Sequence, residues 1–302
     1  SGGQAGTSTL LILFPESGTS VAIMCNLQNV ALISTARKIA NILQQARQTQ
    51  TDYTQAIDKL RSAIEYEVAG KKLPSFSISM VDGDRPVWKS GFGFQDGNRS
   101  VPTSADTIYR FGSISKLFTS VAVMKAVEHG MLNLDAALSE SIPSWNPQDQ
   151  RANKLTLRQL LSHRSGLVRE PPVGNYFDPS EPSLMATLES LNGTTLVYNP
   201  ESRTKYSNAA FAVIGSAVEN TWSMDFSSIL EREIFQPLGM RMSSFDQSQA
   251  ILEQLAVGWM RTVDGKRFEA PRFLLGTGPA GNVYSTVDDL SKFLSWMLRM
   301  TS

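Results

Sequence analysis

The chain has 302 residues, 41% hydrophobic and 19% charged, with 28 basic and 28 acidic side chains that cancel. Zero net charge leaves no electrostatic footprint for nucleic acid, and no run of about 18 apolar residues is present to form a transmembrane helix. A single cysteine, Cys25, and two histidines, His129 and His163, exclude an internal disulfide and a Cys/His zinc site, so neither metal nor cofactor is expected.

Residues 9–14 and 20–26 are β-rich runs around Pro15-Glu16-Ser17-Gly18-Thr19, which reads as two antiparallel strands and a turn. The apolar run 10–14 has no basic segment ahead of it, so no signal peptide is visible. Residues 34–45 read as a helix with Ala36, Ile39, Ala40 and Leu43 on one face, and 52–69 as a second with Ile57, Leu60, Ile64 and Val68. The polar stretch 44–51 has no apolar anchors and reads as a linker. Residues 75–81 and 86–92 flank Asp82-Gly83-Asp84-Arg85 as a hairpin. From Ser113 onward the spacing turns helical, over 117–127, 156–161, 209–218, 227–235 and 287–298, with a proline-bearing loop at 169–182. The expected fold class is α+β: an antiparallel sheet with flanking terminal helices in an α/β lobe at 1–104, and a mostly helical lobe at 105–302.

Ser113-Ile114-Ser115-Lys116 has the form S-x-x-K, which puts a hydroxyl and an amine on one helical face where they can share a proton. With Gly112 ahead of it, Ser113 falls in a first helical turn, whose free N–H groups and dipole favour developing negative charge. Tyr206-Ser207-Asn208 adds a phenol and an amide. A phenol near Lys116 could take the proton of Ser113 and return it to a leaving group, while Asn208 could hold a substrate amide or carbonyl. Alone, each motif also reads as ordinary structure: a surface Ser/Lys pair, and a loop before a helix with Asn208 as its N-cap. His163 reads as an imidazole tying down its loop, His129 as a residue near a helix end stopped by Gly130, and Cys25 as a buried strand thiol.

The segment 111–119 around Ser113 resembles the nucleophile segment of the serine β-lactamase and penicillin-binding-protein superfamily. Leu160-Leu161-Ser162-His163-Arg164-Ser165-Gly166-Leu167 resembles its signature loop, Tyr206-Ser207-Asn208 the Y-x-N motif of class C β-lactamases and related esterases, and 279–290 the turn and helix that follow. The family's third motif, His or Lys, then Ser or Thr, then Gly, normally lies near the C-terminus. Here Ser1-Gly2-Gly3 resembles it at the front, 20–43 resembles the family's last strand and last helix, and within it 21–40 is similar to the tail of mitochondrial serine β-lactamase-like proteins. The resemblance therefore implies circular permutation, with 1–43 as the old C-terminal part, 44–51 joining it, and 52–104 as the old N-terminal part.

It further implies an acyl-enzyme serine hydrolase acting on an ester, amide or β-lactam carbonyl of a small molecule or peptide. Ser113, Lys116 and Tyr206 would be catalytic, Asn208 with Ser1, Gly2 and Gly3 would bind substrate, and the N–H groups of Gly3 and Ser113 would form the oxyanion hole. By the same analogy the protein is periplasmic or extracellular. The His or Lys expected before Ser1 is absent, as is the segment that would join residues 299–302 to Ser1 in an unpermuted relative. The alternative expectation is a catalytically impaired β-lactamase-like scaffold or a self-assembling protein, the latter a homo-oligomer.

Overall fold

The computed structural model describes residues 1–48 and 53–301. They fall into two compact units, one of residues 1–114, 236–272 and 284–302, the other of residues 115–235 and 273–283.

The first unit is built on an antiparallel sheet of β1 (Gly2–Gln4), β2 (Thr7–Phe14), β3 (Thr19–Cys25), β4 (Ser75–Asp82) and β5 (Arg85–Gly93), paired in that order. Helices α1 (Ile33–Gln48) and α2 (Tyr53–Gly70) separate β3 from β4 along the chain, yet the two strands are direct neighbours. Strand alternation explains the layering. Val21, Ile23 and Cys25 of β3 and Phe76, Ile78 and Met80 of β4 share one core with Ile39, Leu43, Leu60 and Ile64 of the two helices. The intervening β4 residues, Ser75, Ser77 and Ser79, are small and face the other way; α11 (Val287–Thr301) packs on β4 and β5. The hairpin between β4 and β5 turns at Gly83, whose φ of 60° suits a two-residue connection.

The expected linker at 44–51 is in part helix, because α1 continues through Gln48. Glutamine, alanine and arginine are good helix formers, so losing apolar anchors ends a buried face without ending the helix. Residues 49–51 of that stretch, and Asp52 at the start of the second expected helix, lie outside the described residues. The sequence pattern also missed a hairpin of β7 (Trp259–Arg261) and β8 (Arg267–Glu269), and the pairing of β6 (Tyr109–Arg110) with β9 (Tyr284–Ser285). Strands of two or three residues are too short to show alternation. Helices α9 (Gln236–Leu238) and α10 (Gln249–Gln254) complete this unit, which thus takes in more of the chain than residues 1–104.

The second unit holds α3 (Ser115–Glu128), α4 (Leu138–Ser141), α5 (Leu157–Leu161), α6 (Leu184–Leu191), α7 (Asn208–Trp222) and α8 (Phe226–Leu230). Every residue from 209 to 218 of α7 is buried, and α3, α5, α6 and α8 pack around it. A helix apolar on all sides has to be central. Its alanines and Gly215 let neighbours approach closely; a Cβ on Gly215 would drive into Pro279. The N-cap of α7 is Ser207, whose Oγ accepts from the Ala210 N–H, so Asn208 is the first helical residue and not the cap. Among the described residues no helix is long and apolar enough to cross a membrane.

Candidate active site

Ser113 lies in a 3-10 turn, Gly112–Ile114, directly ahead of α3. Gly112 holds φ at 54°, a left-handed conformation that favours glycine, and a Cβ there would stand 2.7 Å from the carbonyl oxygen of Gly3 and 3.0 Å from its nitrogen. On the opposing strand a Cβ on Gly2 would collide with the Phe111 carbonyl and stand 2.6 Å from Thr9 Oγ1. Only glycine permits this approach of edge strand β1 to the backbone bearing Ser113. The Thr9 hydroxyl fixes it by donating to the Phe111 carbonyl at 2.9 Å. Gly2 and Gly3 therefore lie against the 111–114 segment, and Ser1 is exposed one residue ahead of β1.

Lys116, Tyr206 and Asn208 converge within the second unit. The first turn of α3 is tied to the 279–283 segment: Thr119 Oγ1 donates to the Pro279 carbonyl at 2.7 Å, and the Val283 N–H donates to Ser115 Oγ at 3.1 Å. Lys116, only 7% exposed, donates from Nζ to the Ala280 carbonyl at 2.9 Å and to Asn208 Oδ1 at 2.7 Å. Asn208 Nδ2 in turn donates to Glu170 Oε1 at 2.6 Å. Residues 168–170 are laid along the start of α7 because Ser207 Oγ donates to the Val168 carbonyl and the Asn208 N–H donates to that of Arg169. Lys116 Nζ stands 4.9 Å from the centroid of the Tyr206 ring and 5.3 Å from that of Phe211, and the Arg169 guanidinium stands 5.1 Å from that of Tyr206.

These surroundings set the charge states. Burial pushes Lys116 down to about 7; Glu170 opposes that fall and Arg169 assists it. Burial raises the Glu170 carboxyl, against the pull of the Asn208 amide, Arg169 and Lys116. An amine that titrates near neutrality, held by two acceptors, can accept a proton at physiological pH.

His163 has its Nδ1 accepting from the Ser207 N–H at 3.2 Å, and its ring packs 4.6 Å from that of Tyr206. Burial, then the charge of Lys116, lowers its pKa. His129 follows the end of α3, with Gly130 at φ 68°. Cys25 is buried on β3. Among the described residues no group of three His, Cys, Asp or Glu side chains could hold a metal ion. Sequence reasoning missed Glu170, whose only signal was its place in the 169–182 loop, and the Ala280 carbonyl, which no side-chain motif can reveal.

Comparison with known proteins decides the family: the β-lactamase family model matches residues 60–302. The chain belongs to the β-lactamase family. It is 25% identical over 248 residues to Protein flp of Staphylococcus aureus, covering 82% of this chain and 49% of that protein. It is 27% identical over 298 residues to Beta-lactamase-like protein 2 of Dictyostelium discoideum, covering 95% and 53%. This β-lactamase-family chain thus spans about half the length of the curated relatives it matches. Among solved structures, the octameric penicillin-binding protein homologue from Pyrococcus abyssi superposes with a TM-score of 0.69 at 26% identity, covering 82% of this chain and 57% of that one.

Proposed function

We propose that the chain is a serine hydrolase working through an acyl-enzyme, with Ser113 as nucleophile. The observation that carries this reading is Lys116: a buried amine titrating near pH 7, positioned by Asn208 and Ala280, three residues along the chain from a serine at a helix start. Ser113 Oγ attacks the carbonyl carbon of an ester, amide or β-lactam while Lys116 or Tyr206 takes its proton. The N–H groups of Gly3 and Ser113 receive the oxyanion. As the intermediate collapses, the bond to the leaving group breaks and that group takes the proton. Water then adds to the acyl carbon, gives its proton to the same base and releases the acid, and Ser113 regains its proton.

Circular permutation is part of the proposal. It is supported by the order of the sheet, in which strands from the front of the chain extend past β4, and by the approach of the Gly2-Gly3 strand to the Ser113 turn. The second reading, a self-assembling scaffold, draws support from the octameric state named for the archaeal homologue.

A fluorophosphonate probe followed by peptide mass spectrometry separates the two. We expect a covalent label on Ser113, and labelling slowed about a hundredfold or more in Lys116→Met and Tyr206→Phe, as for a lost acid–base group. A folded protein that stays unlabelled sinks the hydrolase reading, and either variant reacting at the parent rate removes that residue's role.

A further inference from the structure

We propose that Glu170 is a positioning residue that acts on Lys116 through Asn208, holding the Asn208 amide with its oxygen turned to the lysine and its nitrogen turned away. The inference rests on the hydrolase reading for its significance but not for its test. The chain of contacts runs from Lys116 Nζ to Asn208 Oδ1 at 2.7 Å and from Asn208 Nδ2 to Glu170 Oε1 at 2.6 Å. In its ionised form the Glu170 carboxylate can only accept hydrogen bonds, so in that form it selects the nitrogen end of the amide, and burial, which raises its pKa, sets the lower pH limit of the selection. The oxygen end is then left for Lys116.

The consequence follows from counting protons. A neutral amine has two hydrogens and one lone pair. Asn208 Oδ1 and the Ala280 carbonyl each accept from Nζ, and as acceptors neither competes for its lone pair. If the amide turned over, Nδ2–H would point at Lys116 and its only way to bond would be to donate into that lone pair. The base would be quenched. Glu170 prevents the turnover, and a neutral side chain at 170 would not: glutamine can donate as well as accept, so it tolerates both orientations.

Charge works in the same place. Within this unit the charged or titratable groups facing Lys116 are Glu170, Arg169, His163 and Tyr206, and Arg169 Nε stands 3.6 Å from Glu170 Oε1. Glu170 favours the protonated lysine and Arg169 the neutral one. Removing each should therefore move the lysine's titration in opposite directions.

The test is a pH titration of the full chain carrying ε-13C-labelled lysine, followed by NMR, with the Lys116 signal assigned by its loss in Lys116→Arg. We expect the midpoint to fall by about half a unit to one unit in Glu170→Gln and to rise by a similar amount in Arg169→Gln. Glu170→Asp, which keeps the carboxylate, should return part of the shift. Midpoints that stay put in both Gln variants, or move the same way, overturn the proposal; so does a Glu170→Gln shift that keeps its full size in an Asn208→Ala background, where the charge still acts on Lys116 but the amide between them is gone. Titration needs no turnover, so if the variants show the expected shifts while the parent protein takes no fluorophosphonate label, the hydrolase reading is lost and this one stands.

Discussion

Lys116 shows how much one side chain can reveal about a fold. Its pKa falls from 10.5 to about 7 because burial disfavours the ammonium. Between those values the unfolded chain binds a proton that the folded lysine has released, so the stability contributed by this group grows as pH rises through the window. Lys116→Met abolishes that slope. The cost of leaving Asn208 Oδ1 and the Ala280 carbonyl without their donor, about 1–3 kcal/mol, applies at every pH and does not hide it. The expected outcome in thermal unfolding is a difference, methionine variant minus wild type, that declines from pH 7 to pH 9.5 by up to about 1.4 kcal/mol per unit. A constant difference would mean the lysine stays protonated in the folded protein. The S-x-x-K spacing marked this residue in the sequence. Its partners could not be read there: the Ala280 carbonyl is a backbone group, and Glu170 is linked to Lys116 by way of Asn208, contacts that no sequence spacing encodes.

At the scale of elements, the contact between β1 and the Gly112–Ile114 turn is sensitive to a single atom. Gly112→Ala adds a methyl 2.7 Å from the Gly3 carbonyl oxygen in a backbone conformation that costs other residues about 1–2 kcal/mol. We expect it to lower stability by about 1–3 kcal/mol in denaturant unfolding and to displace β1, whereas Gly130→Ala, also at positive φ but with open space around it, should cost only the conformational part. Equal losses in the two variants would show that β1 does not press on the turn. Most long elements were legible in the sequence. The β2–β3 and β4–β5 hairpins followed from β-rich runs broken by Pro15 and Gly83, and α2 and α11 from apolar periodicity. What escaped was local pattern without length, such as β7 and β8, and the helical continuation of α1 through Gln48, where polar residues of good helix propensity look like a linker.

For the molecule as a whole, the first 25 residues are integral to the sheet: β3 is paired along its length to β2 on one side and β4 on the other. That β4 has β3 as its direct neighbour was not foreseen, because pairing across two intervening helices leaves no trace in periodicity. Cys25 sits in this seam, opposite Ser8 on β2 and Phe76 on β4, fully buried, its thiol pushed up to about 12 by burial. As the chain's one cysteine, it is a clock for the opening of the sheet. Thiolate chemistry there has to wait for β3 to leave its neighbours, so an alkylating reagent at pH 8 reads the equilibrium between closed and open forms, as amide hydrogen exchange does for backbone groups. With a stability of ordinary size, alkylation should run more than about 10³-fold slower than in the denatured chain and accelerate with urea as steeply as global unfolding. Reaction in native buffer within tenfold of the denatured rate would instead show the front of the chain peeling away while the rest stays folded.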